Sequence, residues 1–223
     1  MTRLTLTFDN GPDPATTPGV LDALASRDLA ATFFVVGDQL SRPGGREIVE
    51  EAHAAGHRIG NHSMTHSVPL GQLRDPAREV AEITDAQDLL GDLIDPARLF
   101  RPFGGGGILG PHLLSGAAVD VLVEQDYTVV LWTSVPRDWE DATGWADRAM
   151  GQVRTDDWTV LVLHDLPTGA MDDLPRFLDC VLDSGTEVVA DFPDSCVPIR
   201  DGRAQWPFSH LVATPATGTL RTQ

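Results

Sequence analysis

The sequence predicts an α/β fold, a single parallel barrel of about seven strands. Three observations carry this. Short apolar runs rich in β-branched residues alternate with stretches of helical period, the pattern of βα units around a parallel sheet. A chain of 223 residues suits one full-sized domain with a sizeable core. Apart from 104-GGGG-107, no repeat, charge block or low-complexity tract interrupts the alternation.

The first strand is 3-RLTLTF-8, running into Asp9, Asn10 and a Gly-Pro turn. A helix over 16–27 leads to strand 31-ATFFVV-36, and a helix over 44–56 leads to the short strand 58-RIGN-61. Asp75-Pro76 supplies a cap and an N-terminal proline for a helix over 76–91. Strand 98-RLFR-101 follows, then the glycine run, which reads as a loop where side chains would obstruct something or as a plain flexible loop. A helix over 111–125, strand 128-TVVLWTS-134, a helix over 142–153 and strand 159-TVLVLHD-165 come next. A helix over 171–184 and strand 186-TEVVA-190 complete the alternation. The tail after Pro198 lacks periodicity and is expected to be loosely held, so one domain is assigned to 1–200 and an irregular tail to 201–223.

Charge excludes two classes of partner. The net charge of −17, from 33 acidic and 16 basic residues, would repel nucleic acid and anionic membranes. Cys180 and Cys196 show neither zinc-ribbon nor redox spacing. No apolar run approaches the ~20 residues of a membrane span, and MTRLTLTFDNG has no apolar leader region. The expectation is a soluble cytoplasmic protein.

In a parallel barrel, chemistry sits at the C-terminal strand ends. The unusual polar residues fall there: Asp9 and Asn10 after the first strand, His62 and His66 after the third, Arg101 after the fourth, Asp138 and Trp139 beyond the fifth, and His164 at the sixth. Each also has a plainer reading. Asp-Asn-Gly-Pro is a turn former in its own right, and His164 can be a satisfied core histidine. The i,i+4 spacing of His62 and His66 puts two imidazoles on one face of a helical turn, close enough to share a metal. Arg101 on an apolar strand needs an anion or carbonyls.

Five ordered motifs, 7-TFDNGP-12, 60-GNHSMTH-66, 101-RPFGG-105, 132-WTSVPRDW-139 and 160-VLVLHD-165, resemble those of the polysaccharide deacetylases, the NodB-homology domains of carbohydrate esterase family 4. The resemblance implies a distorted barrel of NodB-homology type and a hydrolase that cleaves an amide C–N bond. It assigns Asp9 as general base oriented by Arg101, and His164 as general acid held by Asp138. It makes Asn10, His62 and His66 the ligands of a divalent metal, Zn2+ first, with Co2+, Ni2+, Mn2+ or Fe2+ as alternatives. Phe103, Gly104, Trp132, Trp139 and Val162 would bind substrate, with the Gly104 N–H facing the oxyanion.

Three departures bear on activity. Asn10 stands where the family has a ligand Asp, so the site keeps an oxygen donor and loses a charge. Phe103 and Gly104 replace Pro and Tyr in the loop that shapes specificity, and Val135 replaces an Asp. The reading is N-deacetylation of an amino sugar or a small N-acylated amine, the substrate being a small molecule or an oligosaccharide. Cyclic amide or imide hydrolysis and a silent carbohydrate-binding homologue are the alternatives. Oligomeric state is not legible.

Overall fold

The predicted first strand, 3-RLTLTF-8, forms and is paired on both edges. The computed structural model describes residues 2–214. In it β1 (Arg3–Asp9) pairs along its whole length with β6 (Trp158–His164), both parallel and seven residues long. The other edge of β1 is shared: Arg3–Leu4 pair with β7 (Glu187–Val188), and Thr7–Asp9 with β2 (Thr32–Val35). From β2 the parallel order continues through β3 (Arg58–Asn61), β4 (Leu99–Phe100) and β5 (Thr128–Val129). The sheet then ends in an antiparallel hairpin of β8 (Ile199–Arg200) and β9 (Arg203–Ala204).

The predicted strand 128–134 keeps only two ladder residues, because its continuation changes partners. The Val130 N–H donates to the Phe100 carbonyl, Leu131 to Cys196, and Ser134 bridges Leu161 of β6. That extended segment curls the sheet back onto β6 as a deformed barrel.

Helices α1 (Thr17–Ala25), α3 (Gly45–Ala54), α4 (Pro76–Leu90), α5 (Gly116–Glu124), α6 (Trp145–Thr155) and α7 (Leu174–Asp183) correspond to the six anticipated. A one-turn α2 (Gly37–Leu40) was not anticipated; four residues carry no periodicity. Helix α5 starts at 116 rather than 111, because the Ser115 hydroxyl accepts the Ala118 N–H and caps it there. Asp75 caps α4 as expected, accepting from Ala77 and Arg78.

Strand alternation decides what faces inward. Leu4, Leu6 and Phe8 of β1 join a core cluster with residues of α1, α3, α6 and α7. Thr5, Thr7 and Asp9 lie on the opposite face, buried toward the barrel interior. The interior and the α4–α5 side form a second cluster around Phe34, Phe100, Leu131, Val160 and Val162.

The expectation of a loosely held tail fails for its first part. Ile199 and Leu211 are fully buried, and the Leu114 N–H donates to the Leu211 carbonyl while the Leu114 carbonyl accepts the Ala213 N–H, so non-local packing orders a segment without periodicity. Residues 215–223 of that tail lie outside the described residues. Among the described residues, no helix is long and apolar enough to cross a membrane.

Candidate functional site

The register of the central strands brings the first two functional side chains together. Asp9 and His164 are ladder partners at the C-terminal ends of β1 and β6. Arg101, one residue beyond β4, reaches across the barrel with its whole side chain buried. Its Nη1 donates to Asp9 Oδ1 at 2.8 Å and to Thr7 Oγ1 at 2.7 Å, both on the inward face of β1. Nε and Nη2 donate to the carbonyls of Val130 and Leu131, and the guanidinium lies 4.0 Å from the Phe34 ring centroid. Every arm of a buried cation is therefore occupied, the condition for keeping it buried. The result is an Asp9 carboxylate whose Oδ1 is fixed, while Oδ2 faces the cavity 3.6 Å from His62 Nε2.

His164 is held as firmly. The fully buried Asp138 carboxylate accepts the His164 backbone N–H on one oxygen and its Nδ1–H on the other, both at 2.8 Å. This leaves Nε2 as the exposed working atom. Burial pushes the imidazole pKa down, but the Asp138 hydrogen bond and charge, with Asp9 and Asp165 behind it, raise it overall. The Trp139 ring packs edge-on to His164 at 4.8 Å.

The two loop histidines arrive by a route the spacing did not foretell. Residues 62–66 form no helical turn; Ser63 and His66 take left-handed backbone, at φ 69 and 49. Side-chain hydrogen bonds make the bend: Asn61 Oδ1 accepts the Ser63 N–H, and Ser63 Oγ accepts that of His66. Helix α4 clamps it from outside. Asn61 Nδ2 donates to the Ile83 carbonyl, the Met64 N–H to that of Glu82, and the Glu82 carboxylate accepts from the Thr65 N–H and hydroxyl. The rings still meet, with centroids 4.6 Å apart.

His62 Nδ1–H donates to the Arg101 carbonyl at 2.7 Å, which fixes the tautomer and leaves Nε2 with a lone pair. Burial pushes the pKa of both His62 and His66 down to about 3, so both rings are neutral at neutral pH, as ligands must be. Asn10, at φ 76 in the left-handed region that asparagine tolerates well, has a buried Oδ1 without any hydrogen-bond partner. An orphaned buried carbonyl oxygen beside two imidazoles fits a divalent cation. Among the described residues no three His, Cys, Asp or Glu side chains form such a group; the third donor here is an amide.

These residues open into one cavity of about 430 Å3. Phe103, Gly104, Trp132, Trp139 and Val162 all line it, and Phe103 packs on His66 with centroids 3.9 Å apart. The glycine run has a physical reason. A Cβ at Gly104 would come within 2.6 Å of the Trp132 ring, while Trp132 Nε1 donates to the Gly107 carbonyl at 2.9 Å. Val135, noted above as a departure, also lines it, as do Arg137, Glu140 and Leu166, which were not foreseen. Also missed were Thr7, Glu82 and Asp165, although Thr7 and Asp165 sit inside the quoted motifs. Asp165 is buried behind the turn after β1, and burial pushes its pKa up to about 6.

Comparison with known proteins finds relatives of this chain. The family described as polysaccharide deacetylase matches residues 2–128. A peptidoglycan-N-acetylglucosamine deacetylase of Bacillus cereus is 33% identical over 138 residues, covering 61% of this chain and 60% of its own length. The peptidoglycan-N-acetylmuramic acid deacetylase PdaC of Bacillus subtilis is 30% identical over 190 residues, 83% of this chain and 37% of its own. The chain thus spans less than two thirds of either relative. Among solved structures, a polysaccharide deacetylase of Bacillus cereus superposes with a TM-score of 0.72 at 28% identity, over 90% of this chain and 97% of the other.

Proposed function

Because the chain belongs to the polysaccharide deacetylase family, whose members generally use a divalent metal ion, we propose that it is a Zn2+-dependent hydrolase removing the N-acetyl group of an amino sugar. One observation carries the reading: a carboxylate fixed by a buried arginine and an imidazole fixed by a buried carboxylate face one cavity from adjacent strand ends. The named substrates of the two relatives are N-acetylated amino sugars, which favours that class.

The chain's own residues divide the work. His62 Nε2, His66 and Asn10 Oδ1 would hold the cation. When bound, it supplies Lewis acidity to the amide carbonyl. Asp9 Oδ2 takes the proton of the attacking water, with Arg101 keeping the carboxylate turned. The Gly104 N–H meets the oxyanion as the carbonyl carbon becomes tetrahedral. His164 Nε2 gives its proton to the leaving nitrogen, and Asp138 stabilises the imidazolium beforehand. Phe103, Trp132, Trp139 and Val162 wall the acetyl group and sugar ring from bulk water.

The test is acetate release from N-acetylated chitooligosaccharides by Zn2+-loaded protein, beside the His62→Ala/His66→Ala double variant. Wild type should turn over, and the double variant should lose both metal stoichiometry and activity. A double variant that kept its metal would place the site elsewhere. Wild type that bound the oligosaccharides but released no acetate at any metal concentration would make the chain a silent binder.

A further inference from the structure

We propose that Asp165 is a positioning residue that sets the shape of the Asn10–Gly11–Pro12 turn, and through it the third arm of the metal site. The inference rests on the metal reading above. Asp165 follows His164 at the end of β6 and is 1% exposed, yet no step of the reaction uses it. Its Oδ2 accepts the Thr17 hydroxyl at 2.6 Å, and that hydroxyl accepts the Asp13 N–H at 2.8 Å. Two bonds thus tie the end of β6 to the segment just beyond the turn. Its Oδ1 is buried with no hydrogen-bond partner. A buried unpaired oxygen costs stability, and its retention calls for an explanation.

Gly11 supplies one. A Cβ at Gly11 would overlap both oxygens of the Asp165 carboxylate. Gly11 is not among the residues with positive φ, so its backbone conformation does not itself demand glycine. What excludes a side chain there is the carboxylate. The neighbouring Asn10 does sit in the left-handed region, with its Oδ1 facing no protein partner. Asp165 is the wall against which the turn lies, Gly11 is the residue small enough to lie against it, and Thr17 fastens the wall to the loop. Side-chain placement at Asn10 follows from that packing rather than from a hydrogen bond of its own.

The reciprocal fit gives a test by size exchange. Co2+ is titrated into the metal-free forms of wild type, Asp165→Ala, Gly11→Ala and the double variant, with the visible absorption of the bound ion as readout. Each single variant should weaken Co2+ binding by about 10–100-fold, the range for groups that orient metal ligands, and change the spectrum. In the double variant the alanine methyl occupies the space the carboxylate vacates, so affinity should recover beyond either single variant. Asp165→Asn, which keeps the shape and the Thr17 bond, should bind much as wild type does. If Asp165→Ala lowers the thermal midpoint but leaves affinity within about twofold of wild type, Asp165 is merely structural and the inference is overturned. Additive losses in the double variant would overturn it as well. A wild-type chain that takes up no Co2+ would instead sink the metal reading, and with it this inference.

Discussion

The two halves of the site are built by different means. Asp9, Arg101 and His164 lie at or beside the ends of ladder strands and Asp138 on the turn after Ser134, and each is bound to another polar group at 2.7–2.8 Å. Asn10, His62 and His66 sit on loops with left-handed backbone at Asn10, Ser63 and His66, and Asn10 Oδ1 has no partner. The half proposed for acid–base work has its hydrogen bonds made within the protein; the other half gathers two neutral rings and an amide oxygen that has no hydrogen-bond partner. Preorganisation is supplied where buried charges pair, and hydrogen bonding is left open at Asn10 Oδ1.

The largest expected effect strikes the first half. Asp9→Asn should lower turnover by a factor on the order of 10²–10⁴ while metal content holds, as elemental analysis beside steady-state kinetics would read. A near-wild-type rate would mean that the base lies elsewhere and that the two halves are not divided as described.

Arg101→Met comes next, because it strands the Asp9 carboxylate in the barrel. A loss of about 3–5 kcal/mol in urea unfolding is expected, the range for breaking a buried pair by removing one partner. A loss under about 1 kcal/mol would show that the ion pair is not a closed unit.

Asp138→Asn tests the imidazole alone. His164 has a raised pKa in the folded chain, so it stabilises the fold fully below the unfolded value of about 6.5, and that contribution fades as pH rises through the folded pKa. Without the Asp138 charge the folded pKa falls. The alkaline limb of the kcat profile should therefore move to lower pH. An unmoved limb would remove His164 from the acid role.

The smallest effect belongs to the open half. Asn10→Asp adds a Coulombic attraction to the cation in a partly desolvated site, and a roughly tenfold tighter metal Kd is expected by calorimetry. Turnover at saturating metal need not rise with it. Activity that appears only in the variant would identify Asn10 as a disabling substitution, turning the contrast between the halves into one between an intact and a broken one.

The sequence by itself determined the barrel and the cluster of polar residues at its C-terminal rim. Alternation in LTLTFD sets which face of β1 turns inward, and strand ends are marked by turn residues within a few positions, so Asp9, Arg101 and His164 could be placed together before any coordinates. Those are local signals, with a period of two for strands and near 3.6 for helices. Tertiary structure decided what has no local signal. The HxxxH spacing suggests a helical turn, yet Glu82 and Ile83 of α4 hold the segment in a bend, and their bonds outweigh a spacing preference worth a few tenths of a kcal/mol. The segment after Val129 leaves β4 for β6, and residues 199–212 pack although their composition reads as tail, since burial at Ile199 and Leu211 depends on partners distant in the chain. Asp165 and Gly11 are far apart in sequence and unremarkable alone; only the closed barrel sets one against the other, because a steric match between two residues exists only once folding has brought them together.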